Sequence, residues 1–199
     1  MKINIIVAMC KYNRGIGLNN TLPWNIKEDL QYFSKMTKGN SNNAVIMGSN
    51  TYSSLNKKGL PGRDNFILSS TLDLDFTIGE SISKTNIIKP DLEYSKNVKK
   101  GYVNIVKSFK SIEKIIETCY ANNYNTVWVI GGASIYKQFL EKNIIDKCYV
   151  TLIYKLFECD TFFPSLLDVD KWIIEKETDF NLDNKYEFKI KCVEYCNRG

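Results

Sequence analysis

The chain has 199 residues, of which 44% are apolar and 25% are charged, and its formal net charge is +5 at pH 7. This length fits one large domain, and the apolar share is enough for a sizeable core. No apolar run approaches the roughly 20 residues that a membrane span requires. The chain has no histidine, which excludes His-containing zinc sites, Ser-His-Asp and Cys-His triads, and imidazole acid–base chemistry. We expect no metal site.

The cysteines are scattered, and several lie in apolar, strand-like runs: Cys10, Cys119, Cys148, Cys159, Cys192 and Cys196. A chain of this size does not need disulfides for stability, so we expect buried free thiols. The start, residues 1–8, is too short for a signal peptide and predicts a buried strand. Together these features predict a soluble cytoplasmic protein.

Residues 84–110 contain seven lysines and two acidic residues, an excess that equals the whole net charge. A segment of this kind binds nucleic acid or a membrane surface, or is a solvated loop. We favour the loop, because Tyr94, Tyr102 and Phe109 do not alternate with base-reading polar residues as in known binding modules. We therefore expect no nucleic-acid or membrane partner.

The first half of the chain predicts strands that alternate with helices. The nearly all-apolar strand 3–9 is typical of a strand covered on both faces. A glycine- and asparagine-rich loop follows and ends at Pro23, which presets the turn before Trp24. The next predicted elements are a helix over 26–36, a strand over 44–47, a short helix over 50–55 opened by a cap residue, and a strand over 65–68. Residues 71–101 are polar and irregular.

The second half continues this alternation and ends differently. A strand over 102–106 precedes a helix that begins at Ser111 with a partial capping box, in which Lys114 replaces the usual Glu. Further elements are a strand over 127–130, a helix over 133–140, a strand over 148–154, and alternating strands over 172–178 and 186–195 joined by 181–184. The pattern predicts an α/β fold with a mostly parallel central sheet, flanked by helices and closed by a C-terminal antiparallel hairpin. We expect a single domain over 1–199, with a basic surface excursion around 75–101.

Asp29 has an unusual place in the first helix. At about 100° per residue it lies beside Ile26 and Phe33 on the apolar face, which also includes Leu30 and Thr37. A carboxylate in that position is costly unless something pairs with it. It is either a structural residue that accepts from the N–H groups of a neighbouring loop, or a pocket carboxylate whose pKa is raised by apolar walls and whose oxygens face a ligand.

Two glycine sites follow strands and precede helices, at Gly48 and at Gly131-Gly132. Ligands of such sheets bind beyond the carboxyl ends of the strands, and a helix N-terminus there supplies N–H groups and a partial positive charge. Two helix N-termini that face one crevice would suit a pyrophosphate. Neither site has the G-x-G-x-x-G pattern, and each alone is equally consistent with a tight strand-to-helix turn.

Several motifs taken together are more specific. In chain order they are Ile16-Gly17, Leu22-Pro23-Trp24 with Asp29 five residues later, Val45-Ile46-Met47-Gly48-x-x-Thr51, Leu60-Pro61-Gly62-Arg63, Ile67-Leu68-Ser69, Ile130-Gly131-Gly132-x-x-x-Tyr136 and Asp160-x-x-Phe163-Pro164. In this order they resemble dihydrofolate reductases over essentially the whole chain. The resemblance implies reduction of 7,8-dihydrofolate to 5,6,7,8-tetrahydrofolate by hydride transfer from NADPH, which supports one-carbon metabolism and thymidylate synthesis. It makes antifolates the expected inhibitors.

The resemblance also implies a role for each matching residue. Asp29 would bind the 2-amino group and a ring nitrogen of the pterin, Thr151 would hydrogen-bond that carboxylate, and Trp24 would position an ordered water. Substrate contacts would be Ile6, Val7, Ala8 and Phe33 on the pterin, Leu55 and Leu60 on the aminobenzoyl group, and Arg63 on the α-carboxylate of the glutamate tail. Cofactor contacts would be Ala8, Ile16, Gly17, Gly48, Ser49, Asn50, Thr51, Ser69, Ser70, Lys110, Ile130, Gly131, Gly132, Ala133, Ser134, Ile135 and Tyr136.

Proton handling falls to Asp29, the one ionisable group expected near the ring. An ionised Asp29 can stabilise the protonated pterin while a water delivers the proton. The loop over residues 11–22 would close over the nicotinamide and exclude bulk water.

The chain departs from the family at the expected 2′-phosphate site. The family usually places basic side chains where this chain has Ser49 and Asn50, and often where it has Ser70. Lys110 and the basic loop are the remaining sources of positive charge. We therefore expect NADPH to be the cofactor, with a weak preference over NADH.

Two rival functions remain from other classes. One is a sister reductase of the same fold that acts on a ribosylated pyrimidine intermediate of flavin synthesis, against which the set of Asp29, Thr151 and Arg63 argues. The other is a non-catalytic binding protein, for example one that touches RNA through residues 84–110. We expect a monomer, or a domain excised from a fusion with thymidylate synthase.

Overall fold

The computed structural model describes residues 1–40, 42–78, 104–165, 171–180 and 185–198. The strands are β1 Lys2–Cys10, β2 Gly15–Gly17, β3 Asn43–Gly48, β4 Asp64–Leu68, β5 Asp75–Ile78, β6 Asn104–Phe109, β7 Thr126–Gly131, β8 Lys147–Ile153, β9 Thr161–Phe162, β10 Trp172–Asp179 and β11 Ile190–Asn197. The helices are α1 Lys27–Lys38, α2 Ser49–Ser54, α3 Ile112–Ala121 and α4 Ala133–Glu141.

Nine of the strands form one sheet in the order β10-β11-β8-β1-β7-β3-β4-β6-β5. The six strands from β8 to β6 in this order pair in parallel, and β1 lies in the interior of the sheet between β8 and β7. The C-terminal strand β11 pairs antiparallel with β8 and with β10. This confirms the predicted mostly parallel sheet with a C-terminal antiparallel hairpin.

The central strand β1 is apolar because both of its faces are covered. Ile3, Ile5, Val7 and Met9 belong to a core cluster that includes apolar residues of α3 and α4. Ile6 points to the other face, into a cluster with side chains of α1 and α2. Successive side chains of a strand point to opposite faces, so a strand between two helical layers needs an apolar residue at nearly every position.

The short strands β2 and β9 were not predicted, and β6 extends to Phe109, beyond the predicted end at residue 106. The fold differs from the predictions at three further places. The strand predicted over 186–195 begins only at Ile190, because the ring of Tyr186 packs on Phe188 and its hydroxyl donates to Glu28 at the start of α1. The helix α2 begins at Ser49, with Gly48 in the cap position and without a side-chain capping bond. The prediction that a capping side chain opens this helix is therefore wrong.

The third difference lies in the range that was predicted to be irregular. Its residues Asp75–Ile78 form β5, which pairs antiparallel with β6 at the edge of the sheet. The rest of the predicted basic excursion and most of the basic segment lie outside the described residues, as does the predicted hairpin loop over 181–184.

Two local predictions are confirmed. The Ser111 hydroxyl caps α3 by accepting from the Lys114 backbone N–H at 3.3 Å. All six cysteines are free thiols, four of them buried, whereas Cys159 and Cys196 are half-buried. Among the described helices, none combines the length and the apolar character needed to cross a membrane.

Candidate active site

A cavity of about 1140 Å³ opens at the carboxyl ends of the central parallel strands. Its walls include the second half of β1 and the ends of β3, β4 and β7, together with one side of α1 and the first residues of α2 and α4. This is the edge of a parallel sheet at which ligands are expected to bind.

Most of the predicted site residues line this cavity. They are Ile6, Val7, Ala8, Ile16, Gly17, Asp29, Phe33, Gly48, Ser49, Asn50, Thr51, Leu55, Leu60, Ser69, Ser70, Lys110, Ile130, Gly132, Ala133, Ser134, Ile135 and Tyr136. Trp24, Arg63, Gly131 and Thr151 are outside the lining and are buried. The roles of all these residues stay predictions.

Asp29 lies at the closed end of the cavity, on the buried side of α1. Its side chain is 7% exposed, and its carboxylate accepts a hydrogen bond from the Thr151 side chain. Burial raises the pKa of Asp29, and the bond from Thr151 opposes that rise because it stabilises the charged form. Among the described residues no loop N–H donates to this carboxylate, so the structural alternative has no support here.

The strand pairing brings Thr151 to this position. It lies opposite Ala8 in the parallel pairing of β8 with β1, and Ala8 lines the cavity. The side chains of such partners share one face of the sheet. The carboxylate therefore lies over the same stretch of β1 that forms the cavity wall.

The predicted apolar face of α1 needs one correction. Leu30 is 48% exposed, because it faces the open cavity and not a packed neighbour. Phe33 is half-buried and also lines the cavity, whereas Thr37 is fully buried below it and donates to the Phe33 carbonyl at 2.7 Å.

Arg63 is a buried cation next to this wall, 3% exposed. Its Nε donates to the Pro61 carbonyl at 3.0 Å, and its Nη1 donates to the Thr37 hydroxyl. No acidic side chain in the described ranges forms an ion pair with it, and burial lowers its pKa to about 10. A buried guanidinium held by neutral groups retains donors for an incoming anion.

Trp24 is buried and packs edge-to-face on Phe157, with ring centroids 5.5 Å apart. Its indole N–H has no hydrogen-bond partner in the described part of the chain. A buried N–H without a protein partner is usually satisfied by an ordered water, and this geometry suits the predicted role.

The two glycine sites meet inside the cavity. A Cβ at Gly48 would lie 3.0 Å from Cγ1 of Ile135, and a Cβ at Gly132 would lie 3.6 Å from the Thr51 hydroxyl. The starts of α2 and α4 therefore lie side by side, as the two-site pyrophosphate hypothesis requires. Gly131 has φ +109° and precedes a cis peptide bond, and a Cβ there would lie 2.9 Å from the Tyr136 ring.

The far end of the cavity is exposed and rich in hydroxyl groups. Ser70, Thr71 and Lys110 are exposed there, and Ser111 is half-buried. Of the described residues that line the cavity, only Asp29, Lys110 and Glu113 carry charged side chains. Glu113 pairs with Lys142 at 2.6 Å. Lys110 is the one cation among the described residues of the lining.

The loop over 11–22 lies against the segment that contains Asp160. Strand β2 pairs with β9, the Asn19 N–H donates to the Asp160 carboxylate at 2.7 Å, and the Asp160 N–H donates to the Gly17 carbonyl at 3.0 Å. These bonds hold the loop where it borders the cavity.

Sequence reasoning missed several lining residues: Asn20, Thr21, Leu22, Leu30, Ser54, Leu68, Thr71, Ser111, Glu113, Gln138 and Thr161. Most lie next to a predicted site residue or one helical turn away. Leu22 and Leu68 belong to the predicted motifs and Leu30 to the predicted apolar face of α1, so a signal was available for these three residues. Asn20 and Thr21 lie in the loop over 11–22, and the others are indicated only by their neighbours.

Comparison with known proteins identifies the family to which the chain belongs. The family model of dihydrofolate reductase matches residues 2–100 and 91–197. A dihydrofolate reductase of Drosophila melanogaster is 32% identical over 204 residues, and the match covers 98% of both chains. This chain belongs to the dihydrofolate reductase family.

Other relatives of the family agree. A protein of Caenorhabditis elegans named as a putative dihydrofolate reductase is 36% identical over 210 residues, covering 97% of this chain and 98% of its own. The solved structure of dihydrofolate reductase from Enterococcus faecalis, complexed with NADP(H) and RAB-propyl, is 23% identical with a TM-score of 0.72. The match covers 100% of this chain and 97% of that one, and it shows the fold.

Membership of this family gives the reaction. The protein is an oxidoreductase that reduces 7,8-dihydrofolate to 5,6,7,8-tetrahydrofolate, with NADPH as the cofactor. The predicted function and cofactor are confirmed, and the rival assignments to a flavin-pathway reductase or a binding protein are excluded.

Proposed function

We propose that Asp29 is the catalytic carboxylate of this dihydrofolate reductase and that the pterin binds at the closed end of the cavity. The observation that carries the proposal is the buried carboxylate itself, which Thr151 contacts and which lines an otherwise apolar wall. A carboxylate with this orientation accepts from the 2-amino group and a ring N–H of a pterin. Ile6, Val7, Ala8 and Phe33 surround the ring.

The remaining substrate contacts follow from the same orientation. Leu55 and Leu60 would contact the aminobenzoyl group, because both line the cavity and pack against the same apolar cluster as Phe33. Arg63 would bind the α-carboxylate of the glutamate tail through the donors that the protein does not use. Antifolates that present an aminopyrimidine to Asp29 would compete for this site.

The chain supplies orientation and proton handling, and NADPH supplies the hydride when bound. Ionised Asp29 stabilises the protonated pterin, and a water held by the Trp24 indole N–H delivers the proton to N5. Thr151 keeps the carboxylate in place. The loop over 11–22 excludes bulk water from the reacting atoms while it is held by the Asp160 segment.

The cofactor would lie along the opposite wall. The pyrophosphate fits between the starts of α2 and α4, near Gly48, Thr51 and Gly132. Ala8, Ile16, Gly17 and Tyr136 would surround the nicotinamide. The hydroxyl-rich end with Ser69, Ser70 and Lys110 would contain the 2′-phosphate, so the preference for NADPH over NADH is expected to be weak.

We also propose that the chain folds as a single domain, since one sheet contains strands from both ends of the described chain. The predicted cytoplasmic location stays a prediction.

The first test is NADPH oxidation with dihydrofolate by the wild type and by Asp29→Asn. We expect kcat to fall by about 100-fold or more, the usual cost of losing a preorganised electrostatic group. Asp64→Asn is the matched control, because Asp64 is also a carboxylate whose pKa burial raises, but it bonds Tyr124 and Ile105 away from the cavity. Turnover by Asp29→Asn within about threefold of the wild type would refute the assignment.

A further inference from the structure

Helix α1 is attached to two neighbouring strands by two side-chain hydrogen bonds one turn apart. Asp29 accepts from Thr151 of β8. Three residues later, the Tyr32 hydroxyl lies 3.1 Å from the Cys192 thiol of β11, which donates to it. Thr151 and Cys192 lie directly opposite each other in the antiparallel pairing of β8 with β11. Their side chains therefore share one face of the sheet and form adjacent attachment points under the helix.

The second attachment is buried and lies outside the cavity. Cys192 is 4% exposed, Tyr32 is half-buried, and neither lines the cavity. The Tyr32 ring also packs edge-to-face on Phe180, with centroids 5.7 Å apart. The contacts of the pair are therefore with α1 and its neighbours, not with the cavity lining.

The thiol stays protonated in this environment. Burial is the main cause of the raised pKa of Cys192; the hydrogen bond with Tyr32 opposes the rise, and the charges of Glu194 and Asp29 add to it. A protonated thiol keeps its S–H donor for Tyr32. The strand register places Cys192 beside Thr151, the residue that contacts Asp29.

We propose that the Cys192–Tyr32 pair positions Asp29 for dihydrofolate by fixing how α1 lies on β8 and β11. Tyr186 holds the start of α1 through Glu28, and Arg63 holds its end through Thr37. Between these ends the bond from Asp29 to Thr151 holds the helix to the sheet at one point, and the bond between Tyr32 and Cys192 adds a second point one turn away. Small misplacements of a reacting group lower binding and rate strongly. This inference rests on the proposed role of Asp29, and Cys192 and Tyr32 are positioning residues.

The test compares the KM for dihydrofolate with the KM for NADPH. We expect Cys192→Ala and Tyr32→Phe each to raise the KM for dihydrofolate about fivefold, as for one hydrogen bond, and to leave the KM for NADPH unchanged. The double variant should be no worse than either single variant, because both remove the same bond. Cys192→Ser should restore the wild-type KM, since a hydroxyl also donates to Tyr32.

A matched control is Cys148→Ala, on β8 three residues before Thr151. Cys148 is fully buried and belongs to the cluster on the other face of the sheet, so it tests the loss of a buried thiol without loss of the bond to Tyr32. We expect both KM values of this variant to match the wild type.

The proposal is overturned if Cys192→Ala and Tyr32→Phe leave the KM for dihydrofolate unchanged, raise both KM values equally, or add in the double variant. Asp29→Asn, measured beside them, separates this failure from failure of the proposed function. If Asp29→Asn loses turnover while the pair variants behave as the wild type, only the positioning role is wrong. If Asp29→Asn keeps its turnover, both proposals are wrong.

Discussion

The two ends of the cavity differ in how their polar groups are held. At the closed end Asp29 is buried and bonded to Thr151, and the indole of Trp24 is buried beside Phe157. At the open end Ser70, Thr71 and Lys110 are exposed. Electrostatic stabilisation of a reacting ring requires fixed groups in a low dielectric, whereas a phosphate is attracted by charge even at a wet surface. Residue identity therefore matters more at the closed end.

The largest effect that would sharpen this contrast is expected at the buried cation. Arg63→Gln should raise the KM for dihydrofolate about 50-fold, because it removes a charge-assisted hydrogen bond from a site that water does not reach. A dihydropterin without the glutamate tail is the control, and its kcat/KM should be the same for both proteins. An equal loss with both substrates would mean that Arg63 only supports the fold.

A smaller effect is expected at the exposed end. Lys110→Gln should raise the KM for NADPH about fivefold and leave the KM for NADH unchanged, and the difference should shrink with added salt because the site is screened. Lys114→Gln is the matched control, because Lys114 is an exposed lysine of α3, just after Lys110 in the chain, and pairs with Glu117. If the preference for NADPH survives in Lys110→Gln, the 2′-phosphate is bound elsewhere.

Ser70→Arg tests the exposed end of the cavity by adding a positive charge there instead of removing one. An arginine there restores the kind of side chain that the family often has, and it should lower the KM for NADPH several-fold through a bidentate phosphate contact. The KM for NADH should not change. A variant that binds both cofactors more tightly would show that the gain does not come from the 2′-phosphate.

The smallest effects concern stability and have opposite signs at the two ends. Burial raises the pKa of Asp29 above 3.8, so the folded protein binds the extra proton and stability falls as pH rises from 3.8 through the folded pKa. Asp29→Asn should therefore unfold at a higher temperature than the wild type at pH 7, with the gap closing toward pH 3.

Glu113 provides the contrast at the open end. Its bond with Lys142 lowers its pKa to about 2, so its contribution is present above the usual pKa of 4.5 and is lost as pH falls through about 2. Glu113→Gln should lower the melting temperature only slightly at pH 7, since exposed pairs contribute little. A gain in stability for Glu113→Gln, or a loss for Asp29→Asn, would contradict the predicted difference between the two ends of the cavity.

Much of the site was predictable wherever the signal was local. The position of Asp29 beside Ile26 and Phe33 follows from helical periodicity, and the glycines at Gly48 and Gly132 stand where strands end. The exposure of Leu30 was not predictable, because periodicity gives the direction of a side chain and not whether anything packs against it. Tyr186 was misassigned to a strand because its alternating neighbours match a strand pattern, while its hydroxyl is bound to Glu28.

The order of apolar runs, turns and capping residues by itself determined the alternation of strands and helices, the parallel sheet and the side of α1 on which Asp29 lies. Those features depend on neighbours within a few residues. The tertiary structure alone decided that Thr151 and Cys192 lie side by side under α1, and that residues 48 and 132 share one cavity. These contacts join residues far apart in the chain, and strand register, set by packing of the whole sheet, brings them together.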